Sequence, residues 1–231
     1  MTHASIGLGA KAPEDERRAG RGLAAGEGDI IDHLAGVQPG SRLDAIRRHR
    51  AAARDNAQRS WQALFEPEEP APGRVSRTQR LAVAAYVAGL HRQPESARFY
   101  ADLLGRDDGA LAAAVAREIE ATAAVGPYGH YPAGPLSRED RDGPTYGPSP
   151  ALRSVAGDAL AGALAHAHLL VFHPRDARRE HLQALLDLGW SETDIVILSQ
   201  LVAFLSFQVR VVAGLRVLAA SLTAQPLETV P

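Results

Sequence analysis

WSETDIVILSQLVAFLSFQVRVVAGLRVLAASL, residues 190–222, holds the longest run of the chain without Asp, Glu, Lys, Arg or His, the fifteen residues from 195 to 209. Ser191 stands where a helix N-cap belongs, with Asp194 three residues on, so a helix is expected to begin here. The segment is apolar nearly all round, which places such a helix at the centre of a bundle rather than on its surface. A membrane-spanning helix needs about 20 consecutive apolar residues, so the run is read as a core helix.

Working outward, almost every other periodic segment also follows the helical repeat, and none alternates at period two. The expected fold class is all-α. DIIDHLAGV (29–37) reads as a short helix, and SRLDAIRRHRAAARDNAQRSWQALF (41–65) as a longer one. The longer helix carries one apolar stripe through Leu43, Ile46, Ala53, Ala57, Trp61 and Leu64. EPEEPAPG (66–73) is a proline-rich linker. VSRTQRLAVAAYVAGL follows, with Ser76 and Gln79 in capping-box spacing, then ESARFYADLL and GALAAAVAREIEATAA. Residues 126–150 hold five Gly, six Pro and three Tyr, a composition in which no helix is expected. The chain then returns to helix through residue 172, again over 174–189, and finally in the opening segment. The expected organisation is a disordered stretch over 1–28, a helical arm with its linker over 29–73, a helical core over 74–222, and a tail over 223–231.

Composition narrows the chemistry. With 231 residues the chain can bury a large core without covalent staples. It has no Cys, which excludes disulfides, zinc thiolates, iron–sulfur clusters and thiol catalysis. Lys11 is the sole lysine, so Schiff-base chemistry on a core lysine is excluded as well. The net charge is −2 and the one basic cluster is RRHRAAAR (47–54), so neither nucleic acid nor membrane is an expected partner. The first 28 residues lack the apolar stretch of a signal peptide, and a cytoplasmic location is expected. The Ala and Arg bias is that of a GC-rich bacterial genome.

HAHLLVFHP (166–174) puts three histidines within eight residues. On a helix, His166 and His168 point to roughly opposite sides, and His166 and His173 stand about 10 Å apart along the axis. That separation does not suit one metal ion, so no metal and no cofactor are expected. The simpler reading is of partly buried histidines hydrogen-bonded to backbone or carboxylates. The functional one gives His166 or His173 to acid–base work. Arg210 sits in the most apolar helix, where burial without a partner is costly. It is either a structural ion pair, across a subunit boundary for example, or an anion clamp on a pocket floor with Gln208 beside it. Gln200, eight residues before Gln208, is expected on roughly the same face. Tyr128, His130 and Tyr131 of the Gly/Pro/Tyr-rich loop are the expected lid over such a pocket.

VSRTQRLAVAAYVAGL with the break and helix after it, and HPRDARREHLQALLDLGWSETDIVILSQLVAFLSFQVRVVAGL, resemble the core of the carboxymuconolactone decarboxylase and alkylhydroperoxidase D superfamily over about residues 75–220. The resemblance implies an alkylhydroperoxidase D-like helical bundle, peroxidase-related, with the N-terminal arm and long loop as additions. Thiol peroxidases of that superfamily use a Cys-x-x-Cys pair, a nearby His and an upstream Glu. The corresponding positions here fall near Gln93 and Ser96, near Tyr100, and near Leu81 or Gln79, so dithiol peroxide reduction is excluded. The decarboxylase branch needs no cysteine. It implies acid–base chemistry on, or binding of, a small carboxylated molecule, with Arg210 holding the carboxylate and His166 or His173 moving the proton. On either reading a homo-oligomer, a dimer or larger, is expected, and the contrasting expectation is a non-catalytic oligomerisation subunit or a partner of a cysteine-bearing paralogue. In that case the arm embraces a neighbour and the last helix faces an interface.

Overall fold

The structure, a computed structural model, describes residues 28–67 and 73–224. The expectations for the N-terminal stretch to residue 27, for residues 68–72 of the linker and for the tail after 224 lie outside the described residues. Within them the fold is all-helical and no strand is present, in keeping with the sequence. The helices are α1 (Ile30–Ala35), α2 (Arg42–Arg48), α3 (Ala51–Phe65), α4 (Arg77–Leu90), α5 (Pro94–Asp107), α6 (Gly109–Thr122), α7 (Pro150–Phe172), α8 (Arg179–Asp187) and α9 (Glu192–Ala224).

The centre of the bundle is α4, not the last helix. Every residue from Leu81 to Ala88 is buried, and α5, α6, α7 and α9 all pack against it. Six of those eight residues are Ala or Val, and such short side chains let four neighbouring helices approach one axis. Helix α9 buries only one side, through Leu198, Leu201, Leu205, Val209 and Val212, while Val196, Phe207 and Val217 stay exposed. Helices α7 and α9 are each long and apolar enough to cross a membrane, and about half of each apolar stretch is buried within the chain, 44% and 56% respectively.

Local chemistry sets the helix starts. Ser76 accepts from the Gln79 amide at 3.2 Å while Gln79 Oε1 accepts from the Ser76 amide at 2.8 Å, a complete capping box. Ser191 and Asp194 make the same reciprocal pair at 3.0 and 3.2 Å. Asp194 Oδ1 also accepts from the Arg74 amide at 2.5 Å, which ties the start of α9 to the start of the core. At Ser41 the acid three residues on is the shorter Asp44, and it reaches the Gly40 amide instead.

The N-terminal helices are part of the core rather than an arm. Ile30, Ile31, Trp61 and Phe65 are all buried, and Phe65 stacks on Tyr100 of α5 with centroids 5.3 Å apart. Buried Arg80 donates to the carbonyls of Leu64 at 2.7 Å and Val75 at 2.9 Å, joining α3 to the core. Three arginines of the basic cluster pair with acids of the same chain. Arg47 pairs with Asp29 and Asp32, Arg54 with Asp32, and Arg48 with Asp44. The long helix expected over 41–65 breaks at His49–Arg50, which leaves Ile46 and Ala53 of its stripe outside the core.

The 126–150 loop is ordered along the end of α7. Contrary to expectation it holds one helical turn, a 3₁₀ helix at Pro135–Glu139, which Pro135 permits because it stands at the first position. Gly129 and Arg141 pair backbone to backbone. The loop is fastened by Tyr128 N–H to the Phe172 carbonyl at 2.6 Å and by Glu118, which accepts from Ser149 N–H at 3.0 Å and Tyr146 O–H at 3.2 Å.

Candidate functional site

HAHLLVFHP closes α7, and there it borders a cavity of about 330 Å³. Gly162 and Ala165 of α7 border it, Leu188 packs directly on Gly162, and Leu185 and Leu188 complete the apolar wall. The polar groups are His166, His168, His173, Asp176 and His181, with Tyr146 from the loop. A mostly apolar cavity of this size with a few convergent polar groups is the usual form of a small-molecule site.

His166 is 6% exposed. Its Nε2 lies 3.2 Å from Ser199 Oγ, and Ser199 spends its own proton on the Ile195 carbonyl at 2.8 Å. Ser199 therefore accepts, the proton sits on Nε2, and the lone pair is left on Nδ1. Nδ1 is buried and has no hydrogen-bond partner. Burial lowers the pKa of the ring, and the neighbouring His181 lowers it further. The result is a neutral imidazole in a fixed tautomer with a free acceptor.

His173 caps the C-terminus of α7. Nδ1 faces Asp176 Oδ2 at 3.0 Å and Nε2 faces the Pro144 carbonyl at 3.0 Å. Both partners are oxygens within hydrogen-bond distance, so neither ring nitrogen is left facing the cavity without one. The hydrogen bond from His173 holds the Asp176 carboxyl below its usual range, with help from the His130 amide. His173 thus clamps the loop to the helix end and leaves proton transfer to others.

His168 lies tilted against Tyr146 at 4.8 Å and meets Phe172 edge-on at 4.9 Å. Burial, and then His173, push its pKa down to about 4. At about 100° per residue it lies about 60° from Ala165 on α7. It therefore borders the same cavity as His166, although the two rings were expected on opposite sides. Tyr86 O–H pairs with the Thr122 hydroxyl and Tyr146 O–H donates to buried Glu118, and burial raises both hydroxyls, that of Tyr86 to about 12. Both phenols stay protonated.

The other expected residues separate. Gln208 is fully buried and accepts from Tyr100 O–H at 2.7 Å. Gln200 is exposed, because eight residues leave the two amides about 80° apart rather than on one face. Arg210 is exposed too, so the cost of burying it does not arise, and it donates to the Ser206 carbonyl at 2.6 Å. It borders a second cavity, and His166, Gln208 and Arg210 do not converge. Of the expected lid, Tyr128 is buried against His173 at 5.3 Å, Tyr131 lies under Arg175 at 4.2 Å, and His130 is exposed beside Asp142. It is Thr145 and Tyr146 that border the first cavity. Among the described residues no three of His, Asp or Glu are grouped to hold a metal ion.

Sequence reading missed Asp176, Ser199, Tyr146 and Glu118. Asp176 left a signal, standing three residues after His173 across Pro174; the others depend on packing between distant segments. No protein family, curated protein or solved structure matches the chain.

Proposed function

We propose that the chain binds a small, largely apolar molecule in the histidine-lined cavity and moves a proton on it. The observation that carries this reading is His166: a buried imidazole whose Nε2 proton is fixed by Ser199 and whose Nδ1 has no partner. A positioned neutral imidazole is the usual general base at neutral pH. His168 supplies a second neutral ring, and the His173–Asp176 pair holds the wall in place. On this reading the chain is a cysteine-free, peroxidase-related relative of the carboxymuconolactone decarboxylase and alkylhydroperoxidase D superfamily, cytoplasmic and bacterial, whose reaction is not thiol-based.

The probe is 5-nitrobenzisoxazole, a compact aromatic. A base takes its C3 proton, the N–O bond breaks, and a coloured phenolate is released. The expected outcome is saturable turnover faster than free imidazole at equal concentration, reduced at least about tenfold in His166→Gln. Turnover equal to free imidazole, or unchanged in His166→Gln, ends the reading.

A second reading, a non-catalytic homo-oligomer or partner subunit, is favoured by Val196, Phe207 and Val217, which leave an exposed apolar strip along α9. A native mass spectrum of untagged protein separates the two. Retained small-molecule mass supports the first reading. A bare complex with a second copy or another protein supports the second.

A further inference from the structure

The histidine cavity makes no use of Arg210. A second cavity, of about 420 Å³, lies between the end of α7 and α9, and Arg210 stands on its border. Its apolar wall includes Val171, Val202 and Pro127, and its polar groups include His91 and Ser206. Among the described residues no Asp or Glu lines it. The Arg210 Nη1 donates to the Ser206 carbonyl, which lays the side chain along its own helix. Arg216, farther along the same helix, is paired with Glu95 at 2.6 Å, but among the described residues no acid lies within ion-pair distance of Arg210. A guanidinium does not give up its charge, so the cavity border carries an uncompensated cation.

The polar floor brings no competing charge. His91 Nε2 lies 3.1 Å from Ser206 Oγ. Burial and the Arg210 charge push the His91 pKa down to about 4, so the ring is neutral at pH 7 and carries no acid with it. With His91 donating from Nε2, the Ser206 hydroxyl has its proton free for a further acceptor.

We propose that this second cavity binds a small monocarboxylic acid, its carboxylate paired with Arg210 and the Ser206 hydroxyl and its apolar body lying on Val171 and Val202. A single guanidinium matches a single carboxylate in charge and in its two-pronged geometry, and the apolar wall gives the rest of the molecule a place out of water. A doubly charged phosphate would find one cation and an apolar wall. The site is separate from the histidine cavity, and none of the residues that line that cavity lines this one.

The experiment is an amide-shift titration of the full chain by NMR with hexanoate, hexanamide and inorganic phosphate at pH 7, repeated on Arg210→Met. Arg210 is exposed, so the variant is expected to fold, and a thermal melt checks that it does. Hexanoate is expected to shift the Val202, Ser206 and Gly126 amides saturably, with hexanamide about tenfold weaker, phosphate weaker still, and hexanoate about tenfold weaker in the folded variant. His166→Gln is expected to leave hexanoate binding unchanged, so failure of the acid–base reading and failure of this one are told apart. Equal binding of hexanoate and hexanamide, unchanged hexanoate binding in Arg210→Met, or tighter binding of phosphate each overturns the assignment. Loss of self-association in Arg210→Met with hexanoate binding intact would also overturn it, and would give Arg210 to a contact between copies of the chain.

Discussion

Two rings, His168 among Tyr146, Phe172 and His173 and His91 beside Ser206 and Arg210, have pKa values near 4 against the usual 6.5. Between pH 6.5 and 4 the unfolded chain takes up a proton at each and the folded chain does not. The unfolded state binds more protons in this window, so stability is complete above pH 6.5 and falls as the pH drops through it. Each histidine contributes at most about 1.4 kcal/mol per pH unit, and less for the partly exposed His91. Asp44 and Asp176, whose pKa values are lowered by their bonds to Arg48 and His173, lose their contribution only below about pH 4, outside the window. His166, lowered by burial as well, adds to the same fall, so urea unfolding at steps from pH 7 to 4.5 is expected to show a falling midpoint, with a shallower slope in His168→Leu. A slope unchanged by that substitution would place the ionisation elsewhere. None of this was legible in HAHLLVFHP. The spacing shows which way each ring leaves the helix, but the loop ring that covers His168 lies twenty-two residues away in sequence.

At the scale of elements, what was legible is what is local. The capping boxes at Ser76 and Ser191 satisfy amides within three residues of themselves, and both were read from spacing alone. The breaks were not legible, because a helical pattern continues through them. Helix α7 reads as one apolar run, yet Gly157 inside it has φ 74° and ψ 163°, a region open to glycine alone. This yields a prediction whose sign separates two structures. In a straight helix Gly157→Ala would stabilise by up to about 1 kcal/mol. At the observed kink it is expected to destabilise by about 1–3 kcal/mol, and the loss belongs to the backbone, because a Cβ there meets nothing within 4 Å. Denaturant unfolding of Gly157→Ala, with m unchanged, reads the sign directly. A higher midpoint would mean that α7 runs straight toward the histidines.

For the whole molecule, periodicity was enough to give an all-helical fold, but not to say which helix lies at the centre or which segments share a core. Both depend on side-chain size across contacts between distant parts of the chain: Ala82, Ala84 and Ala85 draw neighbours onto α4, while α9 spends one face on solvent. The same limit split the expected site between two cavities, because Arg210 borders one and His166 the other, a division that no single segment reveals. The N-terminal helices show the consequence most plainly. A proline-rich linker after residue 65 suggests a separable arm, but Ile30, Ile31, Leu34, Trp61, Leu64 and Phe65 are buried, and Arg80 bonds the end of α3. Burying such side chains contributes about 1.5–3 kcal/mol each before chain entropy is set against it, in a protein whose total stability is about 5–15 kcal/mol. A chain beginning at Gly73 would expose the faces these residues cover, Tyr100 among them. It is expected to melt at least about 10 °C lower, a loss of about 3–5 kcal/mol, or without a cooperative transition. Adding residues 28–67 as a separate peptide should restore part of the difference. A shortened chain that melts at the full-length temperature would show that the segment is an arm after all, free to pack on a second copy.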